Sequence, residues 1–174
     1  FQNKPSVMRL WTHEALRVFG DRLTDDTDRQ WMCDHCSAMC KEVFKCDFQS
    51  EFDHIRPADE TETGYGTLRR LFWGDYMTPA DEDERPYAEV PDLQQLQERT
   101  EEALSDFNSA SKKPMELVMF MFAIEHVSRI ARVLRMPGGN ALLVGVGGSG
   151  RQSLSILATE MAGYQLFRIE ITKS

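Results

Sequence analysis

The chain has 174 residues, of which 41% are hydrophobic and 28% charged, and its 28 acidic against 20 basic side chains leave a formal net charge of −8. That length suits one medium domain or two small pieces with room for a core. It contains no run of about 18 uncharged apolar residues to cross a bilayer and no secretory leader pattern at its start, so the composition predicts a soluble intracellular protein.

The charge is uneven along the chain. Residues 1–110 carry 12 Lys and Arg against 24 Asp and Glu, whereas residues 111–174 carry 8 against 4. The acidic first part argues against nucleic acid or an anionic membrane as partner, while the basic second part suits an anionic ligand. The change of character near Ser109 marks two pieces, and no internal repeat is visible.

In chain order, Ser6 is placed to cap a helix running through Leu23, with Val7, Leu10, Trp11, Ala15, Val18 and Phe19 as its apolar stripe. A second helix follows Asp25, Asp26 and Thr27 and extends to Phe44. Residues 57–66 and 78–91 are rich in Pro, Gly, Asp and Glu and read as loops. Between them Leu68, Leu71, Phe72, Trp73, Tyr76 and Met77 form an apolar patch that requires cover. Pro91 suits the first turn of a helix carrying Leu93, Leu96, Ala103, Leu104 and Phe107. A long helix is expected from Met115 to Arg135, then a short buried strand at Asn140–Val144, a glycine-rich turn, a helix at Leu154–Ala162 and a second strand at Gln165–Ile171.

The turn Gly145, Val146, Gly147, Gly148, Ser149, Gly150, Arg151, Gln152 sits in the strand, loop, helix order that a phosphate-binding loop requires. Glycine permits backbone conformations closed to other residues and lets amides approach a phosphate, and the following helix directs its positive end at the anion. Against GxxxxGK followed by Ser or Thr, Gly145 and Gly150 match, but Arg151 stands at the lysine position and Gln152 at the hydroxyl position. Arginine still pairs with phosphate as a larger planar fork. A glutamine carbonyl fits a tight octahedral magnesium shell poorly, so Mg2+ is a doubtful companion here. A glycine turn of this kind can also serve only to pack a strand on a helix.

Cys33, Cys36, Cys40 and Cys46, with His35 among them, raise the question of zinc. Their spacings differ from two separated CxxC knuckles. Cys33, Cys36 and Cys40 share one helical face, where reduced cysteines behave as small apolar core residues. His13, His35, His54 and His126 are scattered, none beside a serine nucleophile motif, and the run Asp81 to Glu84 lacks the alternation and glycine of a calcium loop.

The runs Lys112 to Phe120 (KKPMELVMF) and Phe122 to Ile130 (FAIEHVSRI), followed by GVGGSGRQSL, resemble a dynein heavy chain. The likeness is narrower to axonemal dynein at the start of the fourth AAA+ module of the motor ring, where that branch carries Arg and Gln in place of Lys and Thr. The run Arg9 to Phe19 with Asp21, Arg22 and Leu23 resembles the helical lid of the third module. The resemblance covers nearly the whole chain, strongest in residues 7–31 and 111–171 and weakest in 45–90.

That resemblance implies a mainly α fold with a partial α/β portion. Residues 1–110 would be the helical lid of the third module, and residues 111–174 the N-terminal part of the fourth module's large subdomain. The catalytic carboxylates of that module would lie outside this stretch, so the fragment itself would not hydrolyse ATP. The implied ligand is ATP or ADP. Its phosphates would rest on Gly145 to Gln152, its adenine near Leu117, Val118 and Phe120, and Arg9 would match a lid arginine that reaches the preceding module's nucleotide. The implied parent is a minus-end directed microtubule motor with a coiled coil, working in the axoneme of cilia and flagella. Its partners would be neighbouring AAA+ modules, microtubules and dynein intermediate and light chains, with no nucleic acid and no membrane. Two other readings stay open: a ring module that binds no nucleotide and acts as a spacer, and a different P-loop enzyme, such as a kinase, with a helical extension.

Overall fold

A computed structural model describes residues 3–79, 81–82 and 84–169. The described residues form helices α1 (Lys4–Val18), α2 (Asp26–Met39), α3 (Phe48–Glu51), α4 (Tyr65–Leu68), α5 (Leu93–Ala110), α6 (Met121–Arg135) and α7 (Arg151–Met161), with two short strands, β1 (Trp73–Gly74) and β2 (Ala88–Glu89). The fold is mainly helical, as expected, and β1 and β2 pair into a two-stranded sheet. The chain divides into two compact units, Phe1–Trp73 with Glu89–Asp92, and Gly74–Ala88 with Leu93–Ser174. These units meet in sequence at 73/74, 88/89 and 92/93, and α5 lies in the second.

In the first unit α1 starts at Asn3, not Ser6. The Asn3 side chain accepts from the Ser6 amide at 2.9 Å and satisfies one of the helix's orphan donors. The helix stops at Val18, short of Leu23, and Gly20–Arg22 adds a single 3-10 turn closed by the Leu23 amide on the Gly20 carbonyl. Its buried face is Met8, Thr12, His13, Ala15 and Leu16, whereas Val7, Val18 and Phe19 of the expected stripe are exposed. Thr12 tolerates burial because its hydroxyl donates to the Met8 carbonyl at 3.0 Å, and it also lies 3.8 Å from Cys40 Sγ. His13 is held by a 3.0 Å hydrogen bond between Nδ1 and the Leu71 carbonyl.

Asp25 caps α2 by accepting from the Asp28 amide. One π-helical turn, Cys40–Phe44, continues α2 to the expected end, and Lys45 follows in the left-handed region at φ 53°. Cys33, Cys36 and Cys40 are buried. Among the described residues no three His, Cys, Asp or Glu side chains gather closely enough to hold a metal ion. The expected apolar patch is covered: Leu68, Leu71 and Phe72 are buried in this unit, as is Phe52, which meets the Phe48 ring edge-on at 4.9 Å.

In the second unit α5 and α6 both pack against α7. α6 begins six residues later than expected. Asn108 explains this, because its side chain donates to the Met115 carbonyl at 2.9 Å and accepts from the Met115 amide at 2.7 Å, which occupies the groups a helix would use. Segment 74–88 is not simply a solvated loop. Arg85 donates to the carbonyls of Met161 and Ala162 at the end of α7, and Asp75 pairs with Arg85 and Arg135.

The strands expected at Asn140–Val144 and Gln165–Ile171 do not form among the described residues, and Glu170 and Ile171 lie outside them. A strand needs a ladder partner for its backbone groups, and neither segment pairs with another. Their apolar side chains are consequently exposed, Leu142 at 89% and Phe167 at 86%.

Candidate functional site

The glycine-rich turn lies wholly in the second unit and leads directly into α7. Gly150 is the N-cap, left-handed at φ 77°, and the Leu154 amide donates to its carbonyl at 2.9 Å to close the first helical turn. Gly148 is also left-handed, at φ 79°. A methyl at Gly148 would meet nothing within 4 Å, so its glycine is required by backbone conformation and not by space. Among the described residues the amides of Gly147, Gly148, Ser149 and Gly150 make no hydrogen bond. They add to the free first-turn amides that any helix presents, and together these groups form a set of donors suited to an anion.

Arg151, the first residue of α7, folds back over the turn. Its Nη2 donates to the Val146 carbonyl at 2.7 Å and its Nη1 to the Leu143 carbonyl at 3.4 Å. The α7 backbone beyond it is reinforced by Ser155 and Thr159, whose hydroxyls donate to carbonyls four residues back at 2.7 Å each.

A cavity of about 270 Å3 opens beside the turn, lined by Leu143–Val146, Ser149, Arg151 and Leu154 on one side and by Phe122, His126 and Ile130 on the other. Phe122, His126 and Ile130 are spaced i, i+4, i+8 along α6, so the shared face was legible in the sequence; the missing signal was that α6 lies beside the turn. The Phe122 and His126 rings meet edge to face at 4.2 Å. Among the described residues no carboxylate lines the cavity.

Of the three residues expected near adenine, Leu117 is half-buried, Val118 is exposed, and Phe120 is exposed and stacked on Phe122 at 6.2 Å. None of the three lines the cavity, and the buried neighbour is Met119. Gln152 and Ser153 face a different cleft of about 470 Å3, with Lys112, Lys113 and Arg168 on its wall. Arg9 lies in the first unit, engaged by Glu89 at 2.8 Å and Glu51 at 3.2 Å. The site the structure assembles is therefore the turn, the start of α7 and one face of α6.

Residues 115–174, which contain every one of these elements, match the family described as the P-loop containing dynein motor region D4. Over 174 residues, 99% of the chain, the sequence is 46% identical to mouse dynein axonemal heavy chain 12, of which it covers 6%. Identity is also 46% over 173 residues to human dynein axonemal heavy chain 3, of which it covers 4%. The chain belongs to the axonemal dynein heavy chains. A third relative, mouse dynein axonemal heavy chain 1, is 36% identical over 99% of the chain. The aligned length of each relative includes residues 45–90. The chain spans about 6% or less of the curated relatives it matches.

Proposed function

We propose that Gly145 to Gln152 form the phosphate cradle of an adenine-nucleotide site in the fourth module of an axonemal dynein motor ring, and that this site regulates the motor without driving it. The observation that carries the reading is the set of amides from Gly147 to Gly150 that make no hydrogen bond among the described residues, held by two left-handed glycines at the positive end of α7. Residues 1–110 then serve as the lid of the preceding module, and the parent chain as an ATP-driven, minus-end directed microtubule motor of cilia and flagella. Neighbouring modules, microtubules and intermediate and light chains are its partners.

Backbone amides and the Arg151 guanidinium would hold the phosphates, while the face of Phe122, His126 and Ile130 offers an apolar wall. The donor set fits an anion better than a divalent cation, since among the described residues the cavity wall carries no carboxylate and Gln152 lines another cleft. This favours bound nucleotide with slow turnover. A nucleotide held here biases the ring only through unequal affinity for two ring states.

The test is a titration of ADP and ATP, with and without Mg2+, into the full-length heavy chain and its Gly148→Asp variant. The variant forces a side chain into a left-handed position and sets a carboxylate where phosphate would lie. Wild type should bind one more equivalent than the variant. Equal stoichiometry in two folded chains would favour the spacer reading, in which Arg151 permanently satisfies the turn's carbonyls.

A further inference from the structure

Arg151 occupies the position from which a phosphate-loop lysine would reach its ligand, yet its guanidinium donates to the loop and to the segment that leads into it. Nη2 donates to Val146 and Nη1 to Leu143, so the planar fork ties two carbonyls three residues apart. Gly145 makes this fold-back possible. A Cβ there would stand 3.3 Å from Arg151 Nε and 3.4 Å from its Cδ, tighter than ordinary contact, so the arginine stem lies where a side chain at 145 would go. The same guanidinium lines the cavity beside the turn. The amides of Gly147 to Gly150 meanwhile make no hydrogen bond among the described residues, so the arginine closes the loop through its carbonyls and leaves these anion donors open.

We infer that Arg151 is an internal gate on the phosphate cradle. With its guanidinium on Leu143 and Val146 it holds the loop in a nucleotide-free form, and a nucleoside diphosphate or triphosphate binds when the guanidinium exchanges those carbonyls for phosphate oxygens. This inference rests on the reading of 145–152 as a phosphate cradle. The exchange is downhill once phosphate is present, because a hydrogen bond to an anion is stronger than one to a neutral carbonyl. Without phosphate, the competent loop is a minor population, and apparent affinity falls in proportion to that population. Lysine is a point charge and cannot span two carbonyls as a planar fork does. Arg151→Lys therefore keeps the cation and loses the tie. Arginine at this position makes the site specific for ligands with enough anionic oxygen to outcompete two carbonyls, which excludes nucleosides and disfavours monophosphates.

The experiment uses the full-length heavy chain as wild type, Arg151→Lys, Arg151→Ala and Gly148→Asp. Limited thermolysin cleavage within 141–147, mapped by mass spectrometry, is read without nucleotide, because a protease must pull the loop into an extended form that the tie opposes. Stopped-flow association of a fluorescent N-methylanthraniloyl ADP is read as the component absent from Gly148→Asp. Expected are several-fold faster cleavage in both Arg151 variants, and several-fold faster association in Arg151→Lys with dissociation close to wild type. Arg151→Ala should both gain and lose the probe faster. Unchanged cleavage in both variants overturns the tie whatever the nucleotide does. Faster cleavage with unchanged or slower association in Arg151→Lys overturns the gate. If cleavage rises but no chain shows a Gly148-dependent component, the nucleotide reading itself fails and takes the gate with it.

Discussion

Arg85 donates through Nη2 to the carbonyl of Met161 at 2.8 Å, across 76 residues of sequence, and through Nη1 to the carbonyl of Ala162 at 3.0 Å. These are orphan carbonyls at the end of α7, and a cation there also complements the helix dipole. The helix that starts at the glycine-rich turn is thus held at its far end by Arg85. Arg85→Ala should lower the local stability of residues 158–164 by about 1–3 kcal/mol, the range for hydrogen bonds to a charged group. Hydrogen exchange of the corresponding peptide reads the change. Arg85→Lys should recover less than half of it, because one ammonium replaces a fork. An exchange rate in Arg85→Ala equal to wild type would remove the clamp from the description of α7.

Glu89 holds two side chains of the first unit at once, Arg9 Nε at 2.8 Å through one oxygen and His54 Nε2 at 2.8 Å through the other. Arg9 also reaches Glu51 at 3.2 Å, with all three side chains at or below 20% exposure. Half-buried pairs of this kind are worth more than solvated ones and less than fully buried ones. Glu89→Gln should destabilise the unit by about 1–2 kcal/mol. In a double-mutant cycle, Arg9→Met should cost less in the Glu89→Gln background than alone, and additive effects would show that the pair is not energetically coupled.

Burial pushes the Cys33 and Cys36 thiols up to about 12 and the Cys40 thiol to about 11, from an ordinary value of 9.0. Folding keeps these groups neutral, so the unfolded chain loses their protons first as pH rises. The contribution to stability is intact below about pH 9 and is lost progressively as the pH climbs to 11–12. Cys46 is only half-buried. At pH 8 iodoacetamide should therefore modify Cys46 first and the other three only as fast as the structure opens. Four equal rates in the native chain would contradict the burial of Cys33, Cys36 and Cys40.

Helices were legible where their side chains carry a period and a cap. α2 has both, and its extension to Phe44, its Asp25 cap and its buried cysteine face follow from local sequence. α1 was legible as a helix but not in its facing, because Met8, Thr12 and Leu16 compete with Val7, Leu10 and Val18, and only the position of Cys40 decides between them. The late start of α6, at Met121 and not Met115, depends on Asn108, a single side chain with no periodic signal. The turn at 145–150 was legible from its glycines, whereas the fold-back of Arg151 was not, since an arginine's hydrogen bonds leave no trace in spacing. The two apolar segments at 140–144 and 165–169 have strand composition, but a strand exists only with its partner.

Not all glycines near the site are equivalent, and two of them make opposite predictions. At Gly139 a methyl would stand 1.9 Å from the Val133 carbonyl oxygen and 3.0 Å from that of Met136. Both acceptors are already fixed, the first by the Met136 amide at 3.1 Å and the second by the Gly139 amide at 2.8 Å, so the clash is with backbone that ends α6. Gly139→Ala should cost about 1–3 kcal/mol, the usual range for forcing a group into filled space. At Gly147 a methyl would meet nothing within 4 Å and the backbone is not left-handed. Gly147→Ala should leave stability within about 0.5 kcal/mol, as at other unconstrained surface positions. Local exchange across 130–140 and 143–152 measures both. Any weakening of nucleotide binding by Gly147→Ala then reports on the approach of phosphate to the loop amides and not on folding, whereas a stability loss matching Gly139→Ala would mean that the turn is packed from a side the present geometry leaves open.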